Sequence, residues 1–492
     1  MSGTSQTSQT SQTSQTSQSS QTSQTSQTSR DDSYDVVVIG AGPAGEVAAG
    51  RLAEAGLTVA VVERELVGGE CSYWGCMPSK ALLRPGDVLA AARRVPGAAA
   101  AVTGPLDVDA VLAYRTQFTG GWDDAGQVPW LTSRGVDLVR GHGRLIEERR
   151  VEVTAVDGAT RVLRAARAVV VATGSRAALP PVPGLAEVKP WDNRDVTAMT
   201  AVPSRLLVLG GGAVGLEMAQ AVKRLGARSV TVIEAAPALL GREEPFAGQQ
   251  VRAALESEGI VVAIGIRLSG AYREADGSVR LSATDGREFV GDELLVAAGR
   301  APATGDVGLE SVGLTPGKPI AVDDQLRAHG VAGQWLYALG DCNGVTLLTH
   351  MGKYQARIAA DVILGKDAVD RASRDVVPRV TFTDPQVAAV GLTSAQAAER
   401  GLRVRTVTYG TGDVAGAAVQ GPGPQGTSAF VVDEDHRVLV GATFVGANTQ
   451  ELVHAATVAI AGQVGLDTLW HAVPSFPTVS EVWLRLLETY GL

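Results

Sequence analysis

The sequence predicts an α/β protein that contains two similar strand-turn-helix units, followed by a smaller α+β region. A Gly-x-Gly-x-x-Gly turn occurs at residues 40–45 and again at residues 210–215, each time between an apolar strand and a helix-like run. From about Val377 the pattern changes to short strands with turn signals, followed by helix-like runs. Alternating strands and helices are typical of a parallel sheet covered by helices, whereas segregated ones indicate a separate α+β domain.

The N-terminal segment is a low-complexity tract. Residues 4–29 repeat Thr-Ser-Gln almost without variation and offer no apolar face that could be buried. Such a tract cannot offset the entropy lost on folding, so we expect residues 1–33 to form a disordered tail.

The composition of the 492-residue chain argues against several classes of partner. A formal charge of -9 disfavours a nucleic-acid backbone, and no apolar run is long enough to span a bilayer. The start of the chain lacks the pattern of a signal peptide. With 3 Cys in all, the chain is expected in the reducing cytoplasm, where a cysteine pair is more often catalytic than structural.

The elements follow the two turns in order. The first unit has strands at residues 35–39 and 58–62, a helix from about Pro78, and short alternating strands over residues 136–172. The second unit and the remaining chain are expected to contain strands at residues 206–209, 230–233, 294–300 and 335–341, and helices at 216–225, 449–463 and 479–489.

The glycine turns indicate two Rossmann-like dinucleotide-binding domains. Glycines permit close approach of a pyrophosphate to a helix N-terminus, and an acid ending the next strand can bind ribose hydroxyls. The acids here are Glu63 and Glu234. One turn alone could be an ordinary strand-helix connection, but two with the same context favour two dinucleotides. Glu234 favours NADH over NADPH, because a carboxylate repels the additional phosphate and no Arg follows until Arg242.

Cys71 and Cys76 lie five positions apart, directly after the first unit. Five residues of ideal helix rise about 7.5 Å, whereas the Cα atoms of bridged cysteines stay within roughly 7 Å. A disulfide here would therefore require a distorted first helical turn and would be reducible. The alternative is two buried thiols that act as small apolar residues. The neighbouring dinucleotide turn favours the redox interpretation.

These motifs together resemble the class I pyridine nucleotide-disulfide oxidoreductases, the family of dihydrolipoamide dehydrogenase, glutathione reductase and mercuric reductase. The resemblance covers about residues 34–490. It rests on both glycine turns, the Cys71 to Lys80 segment, Ala172-Thr-Gly174, Gly299-Arg300-Ala-Pro302, Tyr337-Ala-Leu-Gly-Asp341, Phe382-Thr-Asp-Pro385 and Pro477-Thr478-x-x-Glu481.

The resemblance implies a homodimer whose subunit has four folded domains. We expect an FAD-binding domain at 34–180, an NAD(P)-binding domain at 181–300, a central domain completing the FAD site at 301–376, and a dimerisation domain at 377–492.

The resemblance also implies the cofactors and their contacts. FAD would be bound by Gly40, Gly42, Pro43, Ala44, Gly45, Glu63, Arg64, Gly69, Thr173, Gly174, Gly340 and Asp341. NAD(P)H would be bound by Gly210, Gly212, Gly215, Glu234, Gly299 and Arg300.

The implied electron path runs through the cysteine pair. Lys80 and Glu217 would pair near the flavin, Cys76 would be the thiol next to the flavin, and Cys71 would be the interchange thiol that meets the acceptor.

One departure from the family bears on the acceptor. Dithiol-handling members have a His directly before the Pro-Thr as general base, oriented by the counterpart of Glu481, but this chain has Phe476. Phenylalanine cannot transfer a proton. His471 is the histidine nearest in sequence, and a shifted role for it stays open.

Other departures are Glu70 in place of a common Thr, and Tyr73-Trp74 between the cysteines. Mercuric reductase's C-terminal Cys pair is also missing, since the last Cys is Cys342.

The sequence therefore predicts an enzyme that passes electrons from NADH through FAD and Cys71-Cys76 to a small-molecule acceptor, namely a disulfide, a quinone or a metal ion. We expect ordinary dithiol exchange to be poor. One alternative is a flavin-dependent carboxylating enzyme with Cys71 as nucleophile, since the Phe at position 476 resembles the family's carboxylating member in part. The other alternative is a non-catalytic redox sensor that binds FAD and NAD.

Overall fold

A computed structural model of the chain describes residues 32–422 and 426–492. The Thr-Ser-Gln tract, predicted to be disordered, lies outside these residues. Within the described part, no helix is both long and apolar enough to cross a membrane.

The first sheet is built around a central strand that is buried on both faces. Val36, Val37 and Val38 are fully buried there, as expected of a continuous apolar run between layers of helices. The strands are β1 (Ser33–Ile39), β2 (Val59–Glu63), β3 (Asp137–Arg140), β4 (His142–Glu147), β5 (Arg150–Thr154) and β6 (Thr160–Val171), in the spatial order β3-β2-β1-β6-β5-β4. Strands β1, β2, β3 and β6 are mutually parallel where they pair, while β4 and β5 form an antiparallel extension.

Six helices accompany this sheet. They are α1 (Pro43–Glu54), α2 (Gly69–Tyr73), α3 (Cys76–Arg94), α4 (Ala98–Ala101), α5 (Val108–Phe118) and α6 (Val128–Thr132). The predicted helix from about Pro78 thus begins two residues earlier, at Cys76. A short strand, β7 (Ser175–Ala177), then leads away from the sheet.

The second sheet repeats the parallel arrangement. Its strands lie in the order β10-β9-β8-β14, all parallel, and an antiparallel three-stranded sheet β11-β12-β13 follows it. The elements are α7 (Asn193–Ala198), β8 (Arg205–Leu209), α8 (Ala213–Arg224), β9 (Ser229–Glu234), α9 (Pro245–Ser257), β10 (Val261–Ile264), β11 (Leu268–Arg273), β12 (Val279–Ala283), β13 (Glu288–Gly291), β14 (Glu293–Val296) and β15 (Arg300–Pro302). Strand β15 pairs with β7.

The chain then returns to the first sheet. Strand β16 (Leu336–Ala338) pairs in parallel with β6, as the sequence predicts for this segment. A 3₁₀ turn at Gly340–Asn343 follows, and helix α10 (Thr349–Ile363) packs on α1. Two distant parts of the sequence therefore meet at the carboxyl edge of the first sheet.

The C-terminal region has the predicted α+β composition. Its five strands are antiparallel in the order β17-β18-β21-β20-β19, and the rings of Phe430, Phe444 and Trp483 pack together beside them. The elements are β17 (Arg379–Thr381), β18 (Gln386–Gly391), α11 (Ser394–Glu399), β19 (Val404–Gly410), α12 (Ala415–Ala418), β20 (Thr427–Asp433), β21 (Val438–Gly446), α13 (Val453–Ala461), α14 (Leu466–Trp470) and α15 (Glu481–Tyr490). The predicted fold class is confirmed.

Candidate active site

The first glycine turn exposes backbone without side chains at the start of α1. A Cβ atom on Gly40 would lie 2.6 Å from the Ala172 carbonyl oxygen, and one on Gly45 would lie 1.9 Å from the Gly40 carbonyl oxygen. Gly42, the residue before α1, faces open space. The geometry thus leaves the helix N-terminus accessible to an anionic group.

Glu63 closes the same turn from the end of β2. Its carboxylate accepts hydrogen bonds of 2.7 Å from the amides of Ala41 and Glu65. Burial raises the pKa of Glu63, and these two hydrogen bonds oppose that effect. A buried carboxylate that keeps free lone pairs beside the turn can accept from ribose hydroxyls.

The cavity above this turn fits a flavin dinucleotide. The hydroxyl of Thr173 is buried there and has no hydrogen-bond partner among the described residues. Asp341 accepts a hydrogen bond from Ser175, and burial raises the pKa of its carboxyl. Most residues that the sequence predicts to hold FAD line this cavity: Gly40, Gly42, Pro43, Ala44, Glu63, Arg64, Gly69, Thr173, Gly174, Gly340 and Asp341.

The second glycine turn repeats the geometry of the first. A Cβ atom on Gly210 would lie 2.4 Å from the Ala297 carbonyl oxygen, and Gly212 faces open space before α8. Glu234 accepts hydrogen bonds from the amides of Gly211, at 2.5 Å, and Ala236, at 2.6 Å. A second cavity is lined by Gly210, Gly212, Glu234, Gly299 and Arg300, while Gly215, like Gly45, lies under its own turn.

The two cysteines lie on either side of a break between helices. Cys71 is in α2, Cys76 begins α3, and the chain between them leaves helical geometry at Trp74 and Gly75. The distortion that a Cys71–Cys76 disulfide would require is therefore present, although both cysteines are free thiols in this structure.

The environment shifts the pKa values of the two thiols in opposite directions. A hydrogen bond from Cys71 lowers the pKa of Cys76 to about 6, and Thr349 and the Lys80 charge act in the same direction against burial. The same hydrogen bond, together with burial, raises the pKa of Cys71. The Cys76 Sγ lies 3.4 Å from the Thr349 hydroxyl at the start of α10. In the reduced pair the environment therefore favours the thiolate on Cys76 and the protonated form of Cys71.

Lys80 and Glu217 meet one turn further along α3. The Lys80 ammonium lies 2.7 Å from one Glu217 carboxylate oxygen and 4.5 Å from the centre of the Phe382 ring. The other Glu217 oxygen accepts the Phe382 amide at 2.9 Å. This pair joins α3 to α8 and places a positive charge near Cys76.

Glu70 and Trp74 take part in a contact with α7. The Glu70 carboxylate accepts hydrogen bonds from Asn193, at 2.8 Å, and Arg194, at 2.6 Å. The Arg194 guanidinium also lies 4.0 Å from the centre of the Trp74 ring. These residues connect the thiol-bearing helix to the second dinucleotide unit through Arg300, which donates to Asn193 at 3.2 Å.

Phe476 and Glu481 lie in the C-terminal region. The Phe476 side chain is 76% exposed. Glu481 is buried at the start of α15, where one carboxylate oxygen accepts from Arg485 at 2.6 Å. Its other oxygen is buried without a hydrogen-bond partner among the described residues. One oxygen of the Glu481 carboxylate is thus free to accept a further hydrogen bond.

Sequence reasoning missed two residues near the thiols, Thr349 and Lys353 on α10, and one partly buried acid, Glu46 on α1. Thr349 contacts Cys76, while Lys353 interacts electrostatically with both Cys71 and Glu46. An acid directly after the third glycine, inside an apolar helix, was the available signal for Glu46.

Comparison with known proteins agrees with this geometry. The family described as pyridine nucleotide-disulphide oxidoreductase matches residues 34–360, and its dimerisation domain matches residues 377–486. A dihydrolipoyl dehydrogenase from Thermus scotoductus is 34% identical over 466 residues, which cover 93% of this chain and 97% of the relative. A mercuric reductase from Shigella flexneri is 33% identical over 466 residues, covering 93% and 80%.

Solved structures show the same fold. LpdA from Mycobacterium tuberculosis superposes with a TM-score of 0.82 at 26% identity, covering 93% of this chain and all of LpdA. The HOCl-induced flavoprotein disulfide reductase RclA from Escherichia coli superposes with a TM-score of 0.80 at 23% identity, covering 92% of this chain and 99% of RclA.

Proposed function

Because this chain belongs to the pyridine nucleotide-disulphide oxidoreductases, FAD-dependent enzymes that use NAD(P)H, we propose that it transfers electrons from NADH to the Cys71-Cys76 pair and from there to a small-molecule acceptor. The helix break that brings Cys71 and Cys76 within hydrogen-bond reach, together with the opposite shifts of their pKa values, carries the proposal. The first glycine turn, Glu63 and Asp341 would hold FAD, which would supply the redox chemistry between NADH and the cysteine pair.

Cys76, Glu217 and Cys71 have separate roles in this electron transfer. Cys76, favoured as a thiolate by its hydrogen bonds and by the Lys80 charge, lies at the start of α3, with its Sγ 3.4 Å from the Thr349 hydroxyl. Glu217 holds Lys80 in place at 2.7 Å, so that this positive charge stays near the thiolate. Cys71, the thiol whose pKa is raised, would be the group that meets the acceptor.

Phe476 restricts which acceptors the enzyme can reduce efficiently. Dithiol exchange needs a base that removes one proton and returns another to the leaving thiol, and Phe476 provides neither. Acceptors that take electrons with less thiol proton transfer, such as quinones and metal ions, are therefore favoured over the disulfides lipoamide and glutathione disulfide. No Cys follows Cys342, so a metal ion would have to be reduced without a second cysteine pair.

Glu234 supports a preference for NADH. Both carboxylate oxygens point at the second glycine turn through hydrogen bonds to the Gly211 and Ala236 amides. A fixed negative charge there suits free ribose hydroxyls and repels an additional phosphate.

We further propose that the enzyme is a cytoplasmic homodimer formed through the C-terminal region. Val473 and Phe476 are 83% and 76% exposed, which is unusual for large apolar side chains, and they lie next to the partly exposed Trp470. A partner subunit covering this surface would bring its Phe476 to the thiols. Sedimentation should give a dimer, and a fully active monomer would contradict this.

The electron path is tested by replacing each thiol in flavin-loaded protein. Cys71→Ser should show a long-wavelength thiolate-to-flavin absorbance band without reductant, Cys76→Ser should lack it, and Cys342→Ala is the matched control for a buried cysteine. NADH-dependent quinone reduction should be lost in Cys71→Ser. Absence of the band in both Cys71→Ser and the reduced wild type would refute the proposed path.

A further inference from the structure

Helix α7 contacts both of the helices that carry the redox cysteines. On the α3 side, Val196 and Met199 are buried in one apolar core with Leu82 and Leu83. On the α2 side, the first turn of α7 makes polar contacts. The chain leaves helical geometry between α2 and α3. A third helix that contacts both can therefore fix how the two are placed relative to each other.

The Asn193 side chain on α7 bridges the two ends of α2. Its amide nitrogen donates to the Glu70 carboxylate at 2.8 Å and to the Trp74 carbonyl oxygen at 3.0 Å. Glu70 stands directly before Cys71, and Trp74 is the residue at which α2 ends. One amide group thus spans the short helix that carries Cys71.

Arg194 contacts the same two residues of α2 through their side chains. Its Nε donates to the Glu70 carboxylate at 2.6 Å, and its guanidinium lies 4.0 Å from the centre of the Trp74 ring. Charge-assisted hydrogen bonds are among the strong ones, and the planar guanidinium fixes their direction. We refer to Glu70, Trp74, Asn193 and Arg194 together as the α2–α7 clamp.

Helix α7 is itself held at both ends. The Asp192 side chain caps its first turn, and Trp191, just before the cap, pairs with Leu295 of the second parallel sheet. At the other end, the buried Arg115 of α5 donates to the Met199 carbonyl oxygen at 3.0 Å. Because these contacts come from the second sheet and from α5, α7 can serve as a fixed support for α2.

A fixed support matters for the chemistry of the thiol pair. Closing a disulfide costs the conformational freedom that the separate thiols have, and restricting them beforehand reduces that cost. Helix α2 has five residues and ends at the break, which is too short for a helix to be stable without outside contacts. The clamp supplies such contacts on both sides of Cys71.

We propose that Glu70, Asn193 and Arg194 are positioning residues that hold Cys71 within reach of Cys76 and thereby favour closure of the disulfide. They act through the backbone of α2. The family commonly has Thr in place of Glu70, and a threonine hydroxyl has no charge to pair with a guanidinium. This inference rests on the proposed function, since it concerns how the Cys71-Cys76 pair is held.

The test measures the equilibrium between the dithiol and the disulfide. Flavin-loaded protein is incubated with mixtures of reduced and oxidised glutathione until its state no longer changes, then quenched with acid, alkylated and weighed by mass spectrometry. As the Cys71–Cys76 bond forms, the bond of glutathione disulfide breaks, and the two thiol protons pass to the two glutathione molecules released. The fully buried Cys342 provides a constant reduced thiol.

Two substitutions of unchanged shape remove different parts of the clamp. Glu70→Gln removes the charge that pairs with Arg194, and Asn193→Asp removes the N–H donors that bridge α2. Each should lower the equilibrium constant for disulfide formation about tenfold, the loss expected from one hydrogen bond to a charged group. Glu65→Gln is the matched control and should leave the constant unchanged. Glu65 pairs with the same guanidinium at 2.9 Å but lies outside α2.

A double substitution checks that the residues act together. Glu70→Gln and Arg194→Gln remove the same ion pair, so their combined effect on the equilibrium constant should be smaller than the sum of the single effects in free energy. Additive effects would contradict the clamp. It would also be wrong if either Glu70→Gln or Asn193→Asp keeps the constant of the wild type or raises it.

The outcome is separable from that of the proposed function. The glutathione equilibrium needs neither NADH nor an electron acceptor, so unchanged constants in the variants would refute the clamp and leave the electron path as proposed. Quinone reduction that persists in Cys71→Ser would instead refute the electron path, whatever the constants are. A wild type that forms no disulfide at any glutathione ratio would refute both.

Discussion

Replacing Phe476 with histidine should restore part of the missing proton transfer. The substitution is expected to be tolerated, because the side chain is 76% exposed within its own subunit and its removal opens no cavity in the core. In a dimer of this family, the new imidazole would face the partner's thiols. The expected gain is in lipoamide reduction, the reaction that needs a base and an acid in succession.

The size of the gain follows from Glu481. One of its oxygens has no hydrogen-bond partner within the described chain and can accept from an imidazole N–H, but the other is held by Arg485 at 2.6 Å. General acid-base assistance contributes ~10²- to 10⁴-fold. Because the orienting carboxylate is shared with Arg485, we expect a gain of roughly 10²-fold, at the low end of that range.

The assay is steady-state lipoamide reduction by NADH, with quinone reduction measured in parallel. Phe476→Leu is the matched control, since it changes shape without adding a base, and should leave lipoamide reduction slow. Adding Glu481→Gln to Phe476→His should reverse most of the gain. If the wild type already reduces lipoamide as fast as a dihydrolipoamide dehydrogenase does, the missing base at Phe476 does not limit the reaction. The result would then point to His471 as the residue that transfers the proton.

Three further outcomes are expected. In reduced protein the thiolate-to-flavin absorbance band should persist at neutral pH and disappear as the pH falls through about 6. The reason is that the pKa of Cys76 is lowered to that value, so its thiolate is lost only below it. A midpoint near the ordinary pKa of a thiol would contradict this. Glu234→Ala should narrow the preference for NADH over NADPH by roughly tenfold, equivalent to about 1.4 kcal/mol, in stopped-flow flavin reduction. Glu217→Ala should lower the free energy of unfolding by about 2 kcal/mol in urea titrations, less than for a fully buried ion pair since Lys80 is 35% exposed.

The dinucleotide turns were predictable because their chemistry is local. A glycine turn, the strand before it and the acid ending the next strand lie within about one strand-helix-strand unit of sequence. The structure accordingly places Glu63 and Glu234 on the amides of their own turns. The five-residue spacing of the cysteines likewise indicated a break in the helix, which occurs at Trp74 and Gly75.

The antiparallel sheet β11-β13 and the short helix α14 were not predicted. Both are built from short elements, which pack on the second parallel sheet and on the C-terminal sheet respectively, so their pattern in the sequence is weak. The predicted helix at 449–463 is also shorter in the structure, since it begins with a 3₁₀ turn at Thr449–Glu451 and continues as α13.

The sequence by itself determined the fold class, the two dinucleotide turns, the thiol pair and the absence of a histidine at Phe476. Only the tertiary structure decided that Lys353 acts on Cys71 and also on Glu46. Glu46 and Lys353 lie on α1 and α10, helices far apart in the chain that pack together because β16 returns to the first sheet next to β6. That return depends on burying apolar surface between distant segments, and burial is also what raises the pKa of Glu46 to about 7. Neither effect is encoded in a short stretch of residues.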